Sequence, residues 1–234
     1  MRRTFLISSV LLSILVAPIS PVGQTASSPL EKVLQKLDTT AAGFQSAQAD
    51  FVWDQYQKVV DEHDIQKGTV YYRRLGKGKD IEMMAEIKEP DQKFVLYKDG
   101  KLQVYQPKIE QVTNYATGNN RNEVESYLVL GFGGSGAELT QAFDVSYVGE
   151  ERIGNVQTAK LQLVPKSQKV RNTFSRIFLW IDLERGISVQ QQFMQGEGDY
   201  RQANYSGIRL NEKLPHDVFR LKTTGKTQFV SPRG

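Results

Sequence analysis

The residues that could carry chemistry are few and scattered. Gly131, Gly133 and Gly136 formally spell G-x-G-x-x-G, with Glu150 and Glu151 downstream. A dinucleotide-binding turn needs a strand before it and a βαβ unit around it, because the pyrophosphate rests on the N–H groups that open the following helix. Here the preceding residues have helical periodicity and the later runs alternate with period two, so the glycines read as a hinge between two short helices. No P-loop lysine accompanies them. His63 and His216 are the only histidines; each sits among polar turn residues, and neither has the spacing of a zinc site. No serine stands in G-x-S-x-G or has a lysine three residues later. Acidic pairs such as Glu150-Glu151 fall at strand ends, where a solvated role is usual. Nothing selects a nucleophile, a base or a metal cluster, so neither an enzyme nor a cofactor-dependent protein is expected.

Two other features offer binding rather than catalysis. Arg73-Arg74 ends an alternating run, and parity places Arg74 on the same face as Val70 and Tyr72. A cation on an apolar face needs an acceptor, such as a carbonyl, a carboxylate or a phosphate, unless its stem simply carries the charge out to water. Phe51, Trp53, Tyr72, Met83, Met84, Phe132, Phe193 and Met194 are spread along the chain. They read either as core or as the lining of an apolar pocket, for which adaptable Met is suited. A basic stretch, Lys166–Arg176, is expected to be a solvated loop.

The elements that must position these residues are mostly strands. Ser27-Ser28-Pro29 supplies an N-cap and a first-turn proline, and Leu30, Val33, Leu34, Leu37 and Ala41 recur on one helix face before Gly43. From Phe44 the period is two. Strands are predicted from Phe44 toward Val60, with a polar turn at Asp61–Asp64, then at Ile65–Arg74 and Ile81–Lys88. Asp99-Gly100 separates the runs Phe94–Lys98 and Leu102–Gln106, and this dipeptide suits the left-handed positions of a tight hairpin. Gln111–Tyr115 follows. Glu123–Leu130 and Ala137–Phe143 read as short helices around the glycines. Strands resume at Val145–Gly149, Ala159–Val164, Ile177–Asp182, Ser188–Gln195 and Tyr200–Tyr205, with Val218–Leu221 as a last candidate. The expected fold is mainly β (α+β). A sheet of about eleven strands must curl, and three helices give it sparse cover.

Length and charge narrow the class further. Met1-Arg2-Arg3 followed by the apolar Phe5–Ile19 has the form of a secretory signal peptide. Residues 1–26 are therefore expected to be removed, and 27–234 to form a single exported domain. Loss of Arg2 and Arg3 lowers the formal charge from +4 to +2, too little to argue for nucleic acid. The chain has no cysteine, so neither disulfides nor a lipid anchor is available.

Several segments together resemble a known family. Phe44-x-Ser46-x-x-Ala49-x-Phe51 is similar to its first strand, and Gly68-Thr-Val-Tyr-Tyr-Arg-Arg74 to the strand that carries its arginine. Asp99-Gly100-Lys101, Tyr105-x-Pro107 and Glu110-Gln111-Val112 resemble its central hairpin. Leu163-x-Pro165-Lys166, Ile177–Asp182 and Val218–Leu221 fit its second half. The family is that of the LolA-like periplasmic lipoprotein carriers, the outer-membrane lipoprotein-sorting proteins. Leu75 replaces the proline usual there, and Asp80–Ile87 differs from the family's pattern.

The resemblance implies an incomplete antiparallel β-barrel of about eleven strands, closed by a three-helix lid over an apolar cavity. It implies Arg74 as the residue that gates the lid. Phe51, Trp53, Val70, Tyr72, Met83, Ala85, Leu128, Phe132, Leu139 and Phe193 are the expected lining of the acyl-chain cavity. It further implies a monomer that takes acylated lipoproteins from an inner-membrane ABC-type releasing complex to an outer-membrane acceptor. The rival expectation is a periplasmic sensor that binds lipoproteins or another lipid with the same barrel.

Overall fold

The structure is a computed structural model that describes residues 27–76, 80–116 and 130–232. The chain opens with helix α1, Pro29–Gly43. Ser28 starts it through a capping box: its hydroxyl accepts from the Glu31 N–H, and the Glu31 carboxylate accepts from the Ser28 N–H at 2.7 Å. Val33, Leu37 and Ala41 are its buried positions, the same apolar face that its periodicity predicts.

Six strands follow: β1 (Ser46–Gln57), β2 (Glu62–Arg74), β3 (Ile81–Glu89), β4 (Lys93–Lys98), β5 (Lys101–Gln106) and β6 (Gln111–Ala116). The β4–β5 hairpin turns on Asp99 (φ 51°) and Gly100 (φ 70°), both left-handed, as the dipeptide predicts. The β1–β2 turn falls earlier than its polar residues suggest. Asp61 takes φ 52° and accepts a hydrogen bond from the Tyr56 hydroxyl at 3.0 Å. Glu62, His63 and Asp64 therefore extend β2 and pair with Gln57, Tyr56 and Gln55.

Helix α2 (Gly136–Ala142) starts at a second capping box, Ser135 with Glu138. The expected helix Glu123–Leu130 lies outside the described residues except for Leu130, which is in a turn. Strands β7 (Phe143–Ile153) and β8 (Val156–Pro165) precede a single helical turn, α3 (Gln168–Arg171). This turn occupies part of the expected basic loop. It forms because Val170 is buried and Arg171 Nη1 donates to the Pro165 carbonyl at 2.9 Å. Strands β9 (Arg176–Asp182), β10 (Ser188–Met194), β11 (Tyr200–Leu210) and β12 (Gln228–Val230) complete the order.

All twelve strands join one sheet in the order β12-β6-β5-β4-β3-β2-β1-β11-β10-β9-β8-β7. The pairings are antiparallel except β12 with β6, which is parallel. Among the described residues the two ends of the order do not pair, so the barrel is open, and three helices accompany a mainly β architecture.

Strand parity separates two faces. On the inner face, α1 and α2 pack over Leu161, Leu163, Ile177, Leu179 and Ile181. A second inner cluster gathers residues of β1–β4 around Phe132. The outer face of β2–β4 is also apolar, with Tyr71, Met84 and Leu96 covered by Val218 and Phe219. That burial corrects one expectation: Val218–Leu221 is not a strand. The outer patch needed a cover, so two apolar residues of the tail plug it, and Arg73 lies 4.5 Å above the Phe219 ring. The nearby Glu82 carboxylate is sealed from solvent, and it is balanced by Arg73 Nε at 2.9 Å and Lys98 Nζ at 3.1 Å.

Candidate functional site: the inner face and its cover

Register decides which expected residues meet. Ala49 pairs with Val70 and Ala47 with Tyr72 across β1–β2, while Val70 pairs with Ala85 and Tyr72 with Met83 across β2–β3. Directly opposed residues share a face. Phe51, Val70, Tyr72 and Met83 therefore fall in one cluster with Phe132, and Trp53 and Ala85 pack against it. Leu139 and Phe193 belong to the neighbouring cluster under α1 and α2. Trp53 and Phe193 connect the two, with ring centroids 6.5 Å apart. Leu128 lies outside the described residues.

Phe132 is the plug of the arrangement. It is fully buried, stacked on Tyr72 at 5.1 Å and edge-on to Tyr205 at 4.7 Å. The backbone around it is held at three points. Gln191 Nε2 donates to the Leu130 carbonyl, Ser188 N–H donates to Gly131 O at 2.9 Å, and Arg74 Nη2 donates to Gly133 O at 2.7 Å.

The glycines are close-approach positions rather than a hinge. A Cβ on Gly131 would lie 2.1 Å from Ser188 Cβ, and one on Gly133 would lie 2.5 Å from the Phe44 ring; both have φ above +70°. The nucleotide-like spacing is thus a packing pattern. Sequence reasoning missed Gln191, which also accepts from the Tyr205 hydroxyl at 3.4 Å. A lone glutamine on an alternating strand carries no local signal of that role.

Arg74 reaches across the same gap. Its Nη1 donates to the Ala41 carbonyl at 2.7 Å, so one guanidinium holds the end of α1 and the Phe132 turn together. Ala41 O lies in the last turn of α1, at the negative end of the helix dipole, where it also accepts the Phe44 N–H at 3.3 Å. The Phe44 ring lies 5.4 Å from Arg74 Cζ. The acceptors of this cation are two carbonyls of the inner face's cover.

Burial pushes the Tyr72 and Tyr205 phenols up from their ordinary value, which keeps both neutral at physiological pH. No group of three or more metal-ligating side chains occurs among the described residues. An open depression of about 820 Å³ lies where β11 bulges at Gly207, bordered by Asp50, Arg185, Tyr205, Ser206 and Arg209. None of the expected lining residues borders it. Among the described residues no helix is long and apolar enough to cross a membrane.

Comparison with known proteins agrees with this geometry. No curated protein sequence matches the chain. Among solved structures, MucB superposes with a TM-score of 0.55 at 14% identity, covering 88% of this chain and 66% of MucB. The MucA/MucB complex of Pseudomonas aeruginosa gives 0.50 at 13% identity, over 83% of this chain and 61% of the other. The chain thus spans slightly less than two-thirds of these relatives. An uncharacterized conserved protein of Thermus thermophilus gives 0.54 at 12% identity, over 88% of this chain and 100% of the other. At such identities the likeness concerns the fold. The model of the outer membrane lipoprotein carrier protein LolA matches residues 42–222, from the end of α1 past the outer-face plug, and the chain belongs to that family.

Proposed function

We propose that the protein is a periplasmic carrier that takes up acyl chains on the inner face of its open barrel, without catalysis. The single observation that carries this reading is the cover. A buried aromatic plug, Phe132, fills the apolar interior, and its backbone is tied down by a handful of polar contacts centred on Arg74. The side chains between the cover and the sheet are apolar, so lifting the cover would expose a surface that acyl methylenes can occupy. Each methylene moved through water costs about 0.8 kcal/mol. A long chain therefore needs a continuous apolar surface, and Phe51, Trp53, Val70, Tyr72, Met83, Ala85, Leu139 and Phe193 supply it. Arg74 gates the exchange: breaking its two bonds uncouples the end of α1 from the Phe132 turn, which Gln191 and Ser188 go on holding at Leu130 O and Gly131 O.

The cargo in this reading is the acylated lipoprotein, received from an inner-membrane releasing complex and passed to an outer-membrane acceptor. Membership of the LolA family supports that direction of traffic. Native mass spectrometry of protein purified from its own periplasm tests it. Adducts with the mass of an acylated protein, lost when Ala85→Trp fills the interior, are the expected result. An unloaded protein that ignores added lipoprotein would overturn carriage. A stable complex with a partner protein, formed whether or not the partner is acylated, would instead favour a regulator; the fold's likeness to MucB, seen in complex with MucA, makes that the second reading.

A further inference from the structure

Far along β1 from Arg74, a second arginine faces the same interior. Arg201 pairs with Gln55 of β1 and Phe193 of β10, and two residues on, Ala203 pairs with Trp53. Parity thus sets Arg201 on the inner face with Phe51, Trp53 and Phe193. From Ala47, beside the Arg74 end, to Gln55 is roughly 27 Å at about 3.4 Å per residue. Burial fades along this path, from Ala47 and Ala49, both buried, to the half-buried Gln55. Arg201 therefore stands at the mouth.

Its surroundings are aromatic. Arg201 Cζ lies 6.0 Å from the Phe174 ring, Phe174 lies 5.2 Å from Phe193, and Phe193 lies 6.5 Å from Trp53. Carboxylates of the adjoining strands and turn have other partners. Asp54 binds His63 Nδ1 at 2.8 Å, Asp64 accepts from Gln66, and Asp199 accepts from the Lys58 N–H. Arg201 Nε is the one buried side-chain nitrogen or oxygen among the described residues with no hydrogen-bond partner.

A snorkelling arginine packs its stem on apolar surface and keeps its charged head in water. Here the Nε is sealed and the guanidinium carbon lies 6.0 Å from the Phe174 ring, so the hydrogen bond the Nε lost to water is not replaced within the protein. The Nε and Nη edge of a guanidinium matches two oxygens of a phosphate or carboxylate.

We propose that Arg201 is a head-group subsite at the mouth of the interior, and that the protein takes an amphiphile whose anionic group binds Arg201 while its tail passes over Trp53 and Phe193 toward Phe132. This rests on the acyl-carrying reading above and extends it: an uncharged acyl group would fill the interior and leave Arg201 unanswered.

Calorimetric titration of the mature protein with decyl phosphate, decanol and inorganic phosphate, each below any micelle concentration, tests the subsite. Decyl phosphate should bind about tenfold tighter than decanol, the gain of one charge-assisted pair. Arg201→Gln should erase that difference while leaving decanol affinity unchanged, and Arg201→Lys should restore part of it. Raising ionic strength should weaken decyl phosphate alone, a measurement on unaltered protein that survives any folding defect of the variants. Equal affinity for the two amphiphiles, or a preference that persists in Arg201→Gln, would overturn the subsite and leave acyl carriage standing. Inorganic phosphate binding as tightly as decyl phosphate would overturn the amphiphile. Failure of both amphiphiles to bind would overturn the acyl-carrying reading itself.

Discussion

Replacing Arg74 by leucine removes two short hydrogen bonds, to Ala41 O and Gly133 O, both 2.7 Å. Hydrogen bonds from a charged donor contribute about 1.5–3 kcal/mol each. Arg74 is half-buried and the leucine still packs on Phe44, so the discounted loss is about 2–4 kcal/mol. Most of that loss belongs to the contact between cover and sheet, because the β2–β3 pairing does not use the Arg74 side chain. The opening equilibrium of the cover should rise by roughly 30- to 1000-fold.

Native-state hydrogen exchange resolves this change. The N–H of Phe44, bonded to Ala41 O, and that of Ser188, bonded to Gly131 O, report the two ends of the cover. Both should exchange faster by that factor, while amides of β8 and β9 change little. Arg74→Lys should fall between, since an ammonium cannot fork to two carbonyls as guanidinium does. In an acyl-transfer assay Arg74→Leu should load and unload faster. Unchanged exchange at Phe44 and Ser188, or a uniform acceleration across the sheet, would refute the gating assignment.

Gly133→Ala places a methyl against the Phe44 ring at φ +86° and should cost about 1–3 kcal/mol in urea unfolding; a neutral result would mean that the turn repacks freely. Phe219→Ala uncovers Tyr71, Met84 and Leu96 on the outer face and should cost about 3 kcal/mol without altering acyl affinity, read by urea unfolding and calorimetry in parallel. Burial pushes Asp182 up, but hydrogen bonds from the Arg185 guanidinium and from the Arg185 and Glu184 N–H groups outweigh it and hold the carboxyl below its ordinary value. Its contribution is therefore present above the unfolded value, near 4, and is lost as pH falls through the lower folded value. The stability gap between wild type and Asp182→Asn should be full at neutral pH and close below about pH 4; a gap that is flat with pH would show that the charge is not the source.

Much of the molecule follows from local chemistry. Ser28-Pro29 starts a helix wherever it sits, because the cap bonds its own first turn, and Asp99-Gly100 turns a hairpin because both residues tolerate positive φ. Period-two alternation groups Val70, Tyr72 and Arg74 on one face of their strand, and Phe51 and Met83 with their alternating apolar neighbours on theirs, while the register between strands decides which face is inner. What lies across from each of them is not local. That Arg74 finds Ala41 and Gly133, residues 33 and 59 positions away, depends on how α1 and the Phe132 turn dock on the sheet. The same holds for the division of Leu139 and Phe193 from the Phe132 cluster. Both faces of β2–β4 are apolar, and alternation cannot say what covers the outer one; the Val218-Phe219 plug, strand-like in sequence, answers that only in three dimensions. The unpaired Nε of Arg201 is likewise invisible in sequence, because a missing hydrogen-bond partner is a property of every neighbour at once, and only the folded sheet brings those neighbours together.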